Sequence, residues 1–149
     1  GIGQYTDQVS APAFLRYMGA IANGGQAAAP YLMQRVRKGD DITYEAKTVL
    51  SDAELKPETA DTLTKLMRNN VQSVYGDWNF NGMNVCAKSG TSQLGGGQKS
   101  NAMFAGFVED EQYPLAFIVV VENGGYGSAT CVPVLSKVLA ACKSVLDGE

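Results

Sequence analysis

Leu115-Ala116-Phe117-Ile118-Val119-Val120-Val121 is a run of seven apolar residues, β-branched or aromatic at five of them. No polar residue alternates with these side chains, so the run predicts a strand buried on both faces. Upstream, residues 102–109 and 83–89 read as two more strands. The turn Asp110-Glu111-Gln112-Tyr113-Pro114 leads into the apolar run, and Leu94-Gly95-Gly96-Gly97-Gln98 reads as a flexible loop between the earlier two strands. Neither connection has room for a crossover helix, so the three strands form an antiparallel meander. A sheet that ends on a fully apolar strand wants another strand beside it, and the sequence offers no candidate.

Helices flank this block. Ser10 and Pro12 stand where an N-cap and a first-turn proline belong, and Phe14, Leu15, Met18, Ile21 and Ala22 recur at helical spacing. Asn23-Gly24-Gly25 ends that helix. Residues 30–36 and 42–50 read as short extended segments around the turn Lys38-Gly39-Asp40-Asp41. Ser51-Asp52-Ala53-Glu54 has the form of a capping box, and Pro57 opens a helix that carries Ala60, Leu63, Met67, Val71 and Val74 on one side. Gly76-Asp77 breaks it. A last helix places Val134, Leu135, Val138, Leu139, Cys142 and Leu146 at helical spacing. Helices segregated from an antiparallel sheet make the fold α+β.

Composition narrows the chemistry. A chain of 149 residues has the length of one domain and can bury a real core. It contains no histidine, which excludes Ser-His-Asp triads, Cys-His pairs and histidine metal sites. The net charge is −3, and the basic cluster Arg35-Val36-Arg37-Lys38 is too small for a nucleic-acid footprint. The apolar run is far shorter than the ~20 residues a membrane span needs, so no anchor or targeting segment is expected in this chain. Cys86, Cys131 and Cys142 show no C-x-x-C spacing. Cys131 and Cys142 fall roughly 16 Å apart on one helix, too far for a disulfide. They read as small buried hydrophobes, with a pair between Cys86 and one of the others still open.

Lys88-Ser89-Gly90-Thr91 is the one segment with a concentration of useful groups. A strand ending on a lysine, two hydroxyls and a glycine suits an anion and a carbonyl. The lysine supplies charge, the hydroxyls donate hydrogen bonds, a backbone N–H can serve an oxyanion hole, and Gly90 lets a ligand backbone approach. As an isolated string it is also an ordinary strand end. Other candidates have plainer readings. Gly95-Gly96-Gly97-Gln98-Lys99-Ser100 lacks the final glycine of a phosphate loop and reads as a hairpin loop. Glu109, Asp110 and Glu111 read as a solvated turn rather than paired catalytic carboxylates. Trp78 and Phe80 read as core or edge packing rather than a peptide or glycan surface.

The flanks of Lys88 decide between these readings. Gly1-Ile2-Gly3-Gln4 with Ala11-Pro12-Ala13-Phe14, then residues 17–25, then Lys88-Ser89-Gly90-Thr91-Ser92-Gln93, Phe104-Ala105-Gly106-Phe107 and residues 119–127 occur in that order. In that order the segments resemble the transpeptidase domain of the penicillin-binding proteins, the serine acyltransferases that crosslink peptidoglycan. The resemblance covers essentially the whole chain. It implies the penicillin-binding and serine β-lactamase-like fold, no metal or cofactor, and an extracytoplasmic place on a membrane-anchored parent. It also implies partners: the D-Ala-D-Ala end of a stem peptide and β-lactams. By the same resemblance Lys88 holds the site's hydrogen-bond network and attracts the substrate carboxylate. Ser89 and Thr91 bind that carboxylate, the Thr91 N–H forms half of the oxyanion hole, and Gly90 keeps the strand edge open.

One departure is decisive. The family's nucleophile lies in S-x-x-K and its second motif is S-x-N, and no serine of this chain stands in either pattern. In the family those elements and the first strands of the sheet come earlier. Residues 1–149 are therefore expected to be the C-terminal portion of a single transpeptidase domain, without its N-terminal strands, its nucleophile or half of its oxyanion hole. The N-terminal half of the same domain is then a partner, and the missing neighbour of residues 115–121 belongs to it. The chain alone is expected to be inactive and to self-associate through the unpaired edge. A D,D-carboxypeptidase or β-lactamase-like relative shares the Lys88 strand, and a catalytically silent penicillin-recognising sensor or binding module is the alternative outside enzymes.

Overall fold

The computed structural model describes residues 9–148. Helix α1 (Ala11–Ala22) starts as the sequence predicts: the Ser10 hydroxyl accepts from the Ala13 N–H, and a proline sits in the first turn. Past its end Gly25, at φ +103°, donates to the Ala20 carbonyl at 2.7 Å. A Cβ at Gly25 would run into the Leu55 carbonyl, so only glycine lets the chain close there.

The next segment differs from expectation. Strand β1 (Gln26–Ala28), not foreseen, pairs antiparallel with β4 (Leu50–Ala53), while β2 (Arg35–Lys38) and β3 (Asp41–Glu45) form a separate exposed hairpin. Residues 30–34 and 46–49 belong to no strand, so the extended segments at 30–36 and 42–50 are corrected at both ends. The capping box is corrected as well. The β1–β4 register shifts between Gln26 and Ala28, and the Ser51 hydroxyl accepts the Ala27 N–H at 3.1 Å there. Ser51 thus mends a strand pair instead of opening a helix, and Glu54 pairs with Arg16 of α1.

Helix α2 (Pro57–Asn70) has Lys56 at its N-cap, with no side-chain cap bond. It runs on into one wide π turn, Val71–Tyr75, closed by Gly76 at φ +83°, and a 3-10 turn, Asp77–Phe80, follows. The wide turn breaks the α-helical period. Val71 is fully buried, but Val74 points to solvent and Tyr75 turns inward in its place.

Strands β5 (Val85–Ser92), β6 (Asn101–Val108) and β7 (Ala116–Val121) form the predicted antiparallel meander in that order. Helix α3 (Gly127–Asp147) packs on one face, where Phe80, Phe104, Cys131, Leu135 and Leu139 make the larger core. Helices α1 and α2 cover the other face, with Met18, Ile21 and Met67 against Cys86, Ala105 and Phe107. Each buried aromatic of these layers is worth about 1.5–3 kcal/mol of transfer free energy. Gly106 lets β5 and β6 approach, since a Cβ there would strike the Cys86 carbonyl.

Strand β7 is an edge, and no described residue pairs with its outer side. It is not buried on both faces as its composition predicts. Phe117 is 9% exposed, but Val120 is 50% exposed, because α1 and α3 reach an edge strand only in part. On α3 the buried stripe is Cys131, Val132, Leu135 and Leu139, whereas Val134 and Val138 lie outside it. By length and composition α3 could cross a membrane, and in this fold that stripe packs on the sheet. All three cysteines are free, Cys86 and Cys131 buried and Cys142 half-buried. Trp78 is 84% exposed, which corrects its assignment to packing, while Phe80 is fully buried.

Candidate functional site

The site begins with strand parity. Lys88, Ser89, Gly90 and Thr91 all lie on β5, the edge of the sheet opposite β7. Successive side chains alternate between faces. Lys88 is level with Ala105 and Ile118, on the side of α1 and α2; Ser89 is level with Phe104 and Val119, on the side of α3. Helices α1 and α2 therefore dress one kind of position and α3 the other.

On the α1/α2 side, Lys88 borders an apolar cavity of about 300 Å³ with Tyr17, Leu66, Met67, Asn70 and Met103. Its ammonium donates to the Ser89 carbonyl at 2.7 Å. On the α3 side, the Tyr75 hydroxyl meets Ser89 twice. It accepts from the Ser89 N–H at 3.0 Å and donates to the Ser89 hydroxyl oxygen at 3.1 Å. The Ser89 N–H thus points off the sheet instead of toward β6. Residues two apart in a strand share that direction, so the Thr91 backbone groups face the same outer edge.

Thr91 is held by the start of α3. The Gly127 N–H donates to the Thr91 hydroxyl oxygen at 3.0 Å. Gly127 can sit there only without a side chain, because a Cβ would collide with the Gly90 and Met103 carbonyls. At Gly90 itself a Cβ would press on Met103 Cε at 2.9 Å. The glycine therefore makes room for Met103 on the face of the sheet.

The wide turn that delivers Tyr75 is clamped from behind. Arg68 of α2 donates through both terminal nitrogens to Asp77 at 2.6 Å, and also to the Val85 carbonyl of β5 at 3.3 Å. The bidentate bond holds the Asp77 carboxyl below its ordinary range and pushes the Arg68 guanidinium up. The Tyr75 ring packs edge-on against Phe104, centroids 4.9 Å apart. Cys86 is no alternative nucleophile: burial, aided by nearby Glu109, pushes its thiol up to about 12. Among the described residues no three His, Cys, Asp or Glu side chains converge on a metal position.

Sequence reasoning located the β5 residues and missed Tyr75, Gly127, Arg68 and Asp77. Tyr75 is absent from the apolar stripe of an ideal helix, and only the π turn brings it to Ser89. The Gly127 contact joins two segments 36 residues apart. Gly1-Ile2-Gly3-Gln4 lies outside the described residues; the other segments quoted above fall on α1, β5, β6 and the β7–α3 junction.

A sheet edge with two hydroxyls, a lysine and the Thr91 backbone on its outer side suits an extended acyl chain ending in a carboxylate. The family model "Penicillin binding protein transpeptidase domain" matches residues 1–140, and the chain belongs to that family. It is 28% identical over 130 residues to the peptidoglycan D,D-transpeptidase PbpA of Mycolicibacterium smegmatis, which covers 81% of this chain and 26% of that protein. It superposes with a TM-score of 0.85 and 25% identity on penicillin-binding protein A from M. tuberculosis, solved as a ceftriaxone acyl-enzyme complex, over 95% of this chain and 34% of that one. The D,D-transpeptidase domain from Eggerthella lenta shares the fold, with a TM-score of 0.80 at 20% identity over 95% of this chain and 33% of that one. The chain thus spans about a quarter of the curated relative and a third of the solved ones.

Proposed function

We propose that this chain is the substrate-holding wall of a peptidoglycan D,D-transpeptidase, and that β5 takes an acyl-D-Ala-D-Ala stem peptide, or a β-lactam in its place, along its outer edge. The observation that carries this reading is the composition of that edge: one lysine and two hydroxyls, with the Thr91 backbone turned to the outer side, in a chain of this family. The Ser89 and Thr91 hydroxyls donate to the terminal carboxylate, and the Lys88 ammonium attracts it. The Thr91 N–H polarises the scissile carbonyl, as half of an oxyanion hole. Gly90 contributes through its backbone, since the space a Cβ would take there is filled by Met103.

In the complete domain a serine from an S-x-x-K segment attacks the carbonyl carbon. The D-Ala amine leaves with a proton, and the acyl ester passes to the amine of a second stem peptide. Residues 1–149 contain no such serine, so they position and polarise the substrate for a nucleophile supplied by the N-terminal half of the same domain. The parent protein works at the extracytoplasmic face of a bacterial membrane.

Two measurements test this. Fluorescent penicillin followed by intact mass is expected to leave the 149-residue chain unmodified, and a stoichiometric adduct would overturn the division of labour. Titration of the 15N-labelled chain with acetyl-D-Ala-D-Ala is expected to shift the amides of residues 89–92. Shifts confined to other elements would remove β5 as the wall.

A further inference from the structure

We infer that Tyr75 is a positioning residue that makes Ser89 a hydrogen-bond donor toward a ligand carboxylate. This inference rests on the reading of β5 as the substrate wall, and it adds a residue that the β5 motif does not contain.

The direction of the hydrogen-bond chain carries it. The Ser89 N–H has one proton and must donate, and it donates to the Tyr75 oxygen at 3.0 Å. The phenol, the stronger donor of the two hydroxyls, then donates its O–H to the Ser89 hydroxyl oxygen 3.1 Å away. A hydroxyl that accepts from a phenol has its own proton to give. An ionised carboxylate only accepts, so it binds a serine whose proton points outward and is refused by one that presents a lone pair. Lys88 works in the same sense, because its ammonium covers the Ser89 carbonyl and removes a competing acceptor next to the hydroxyl. Amide, carbonyl and hydroxyl oxygen of Ser89 are each occupied from within the chain.

The placement is rigid. The Tyr75 ring is wedged edge-on against the fully buried Phe104. The π turn that delivers it is closed by Gly76, where a Cβ would strike the Trp78 indole, and is tied to β5 through Arg68. Phenol and serine therefore meet without further ordering of either side chain.

Tyr75→Phe tests this because it keeps the ring against Phe104 and deletes only the hydroxyl. The probes are acetyl-D-Ala-D-Ala and its C-terminal amide, titrated into the 15N-labelled chain. The wild type is expected to prefer the acid. Tyr75→Phe is expected to weaken the acid by about tenfold, the weight of one oriented bond to a charged group, and to leave the amide unchanged. In a Ser89→Ala background the same change is expected to add nothing, since the two residues act as one unit. Equal weakening of acid and amide would make Tyr75 merely structural and overturn the inference. An unchanged acid affinity would overturn it while the β5 wall stands. A wild type that shifts with neither probe overturns the wall, and this inference with it. Where the phenylalanine variant does not fold, 3-fluorotyrosine at position 75 carries the test: its 19F resonance is expected to move with the acid and stay with the amide, and no movement with the acid overturns the inference.

Discussion

The two edges of the three-stranded sheet have opposite characters. On β5, Tyr75 of the π turn and Lys88 of the strand itself occupy the Ser89 backbone groups, and α3 holds Thr91 through Gly127. On β7, apolar side chains run to the rim and Val120 stands half exposed. An edge dressed with polar groups resists strand addition by a stray chain but can receive a ligand that matches those groups. An edge left bare and apolar is a template for another strand. On the function proposed above, the same sheet ends in a recognition surface at β5 and a joining surface at β7.

Substitutions can separate the two. The largest effect is expected where both edges depend on one side chain. Phe104 stacks on Phe80 and Phe117 and meets Tyr75 edge-on, so Phe104→Ala should cost about 3–5 kcal/mol and loosen β5 and β7 together. Urea unfolding with amide exchange on both strands measures this, and exchange that rises on only one of them would break the symmetry assumed here. Gly127→Ala attacks the β5 side alone. Its Cβ would enter the space of the Gly90 and Met103 carbonyls, and a cost of about 1–3 kcal/mol is expected, with amide shifts centred on residues 89–91.

Val120→Lys addresses the other edge. Self-association is expected for the wild type in sedimentation experiments and should be lost in this variant, while stability changes by no more than about 0.5 kcal/mol. A wild-type chain that sediments as a monomer at all concentrations would remove the joining role from β7. The smallest effect is a pH dependence. Asp77 is held below its ordinary value of 3.8 by Arg68, so its contribution is present above that value and disappears as pH falls through the lower folded value. Asp77→Asn should flatten the acid limb of the stability curve and leave the neutral region nearly level. Because the carboxylate is partly exposed, solvent keeps the effect small.

Much of this comparison is legible in the sequence. The unbroken apolar run marks β7, the short turns force a meander, and Lys88-Ser89-Gly90-Thr91 marks the site strand. What misleads is local chemistry with two uses. Ser51 and Glu54 have the spacing of a capping box, yet a shifted strand register gives Ser51 the Ala27 N–H and α1 gives Glu54 an arginine. Val74 fits the helical stripe, yet the π turn rotates it outward. A fully apolar strand implies two covered faces, but cover depends on which elements lie beside it. Those outcomes are settled by contacts between segments distant in the chain, which periodicity cannot register.

By itself the sequence determined the type and order of the principal elements, the absence of histidine chemistry and the residues that line β5, because spacing and composition act locally. Only the tertiary structure decided that β5 and β7 are the two edges, that Tyr75 and Gly127 hold the site residues, and that Ser51 mends a strand. The physical reason is that a hydrogen bond is assigned to whichever donor and acceptor packing brings within about 3 Å, whatever their separation along the chain.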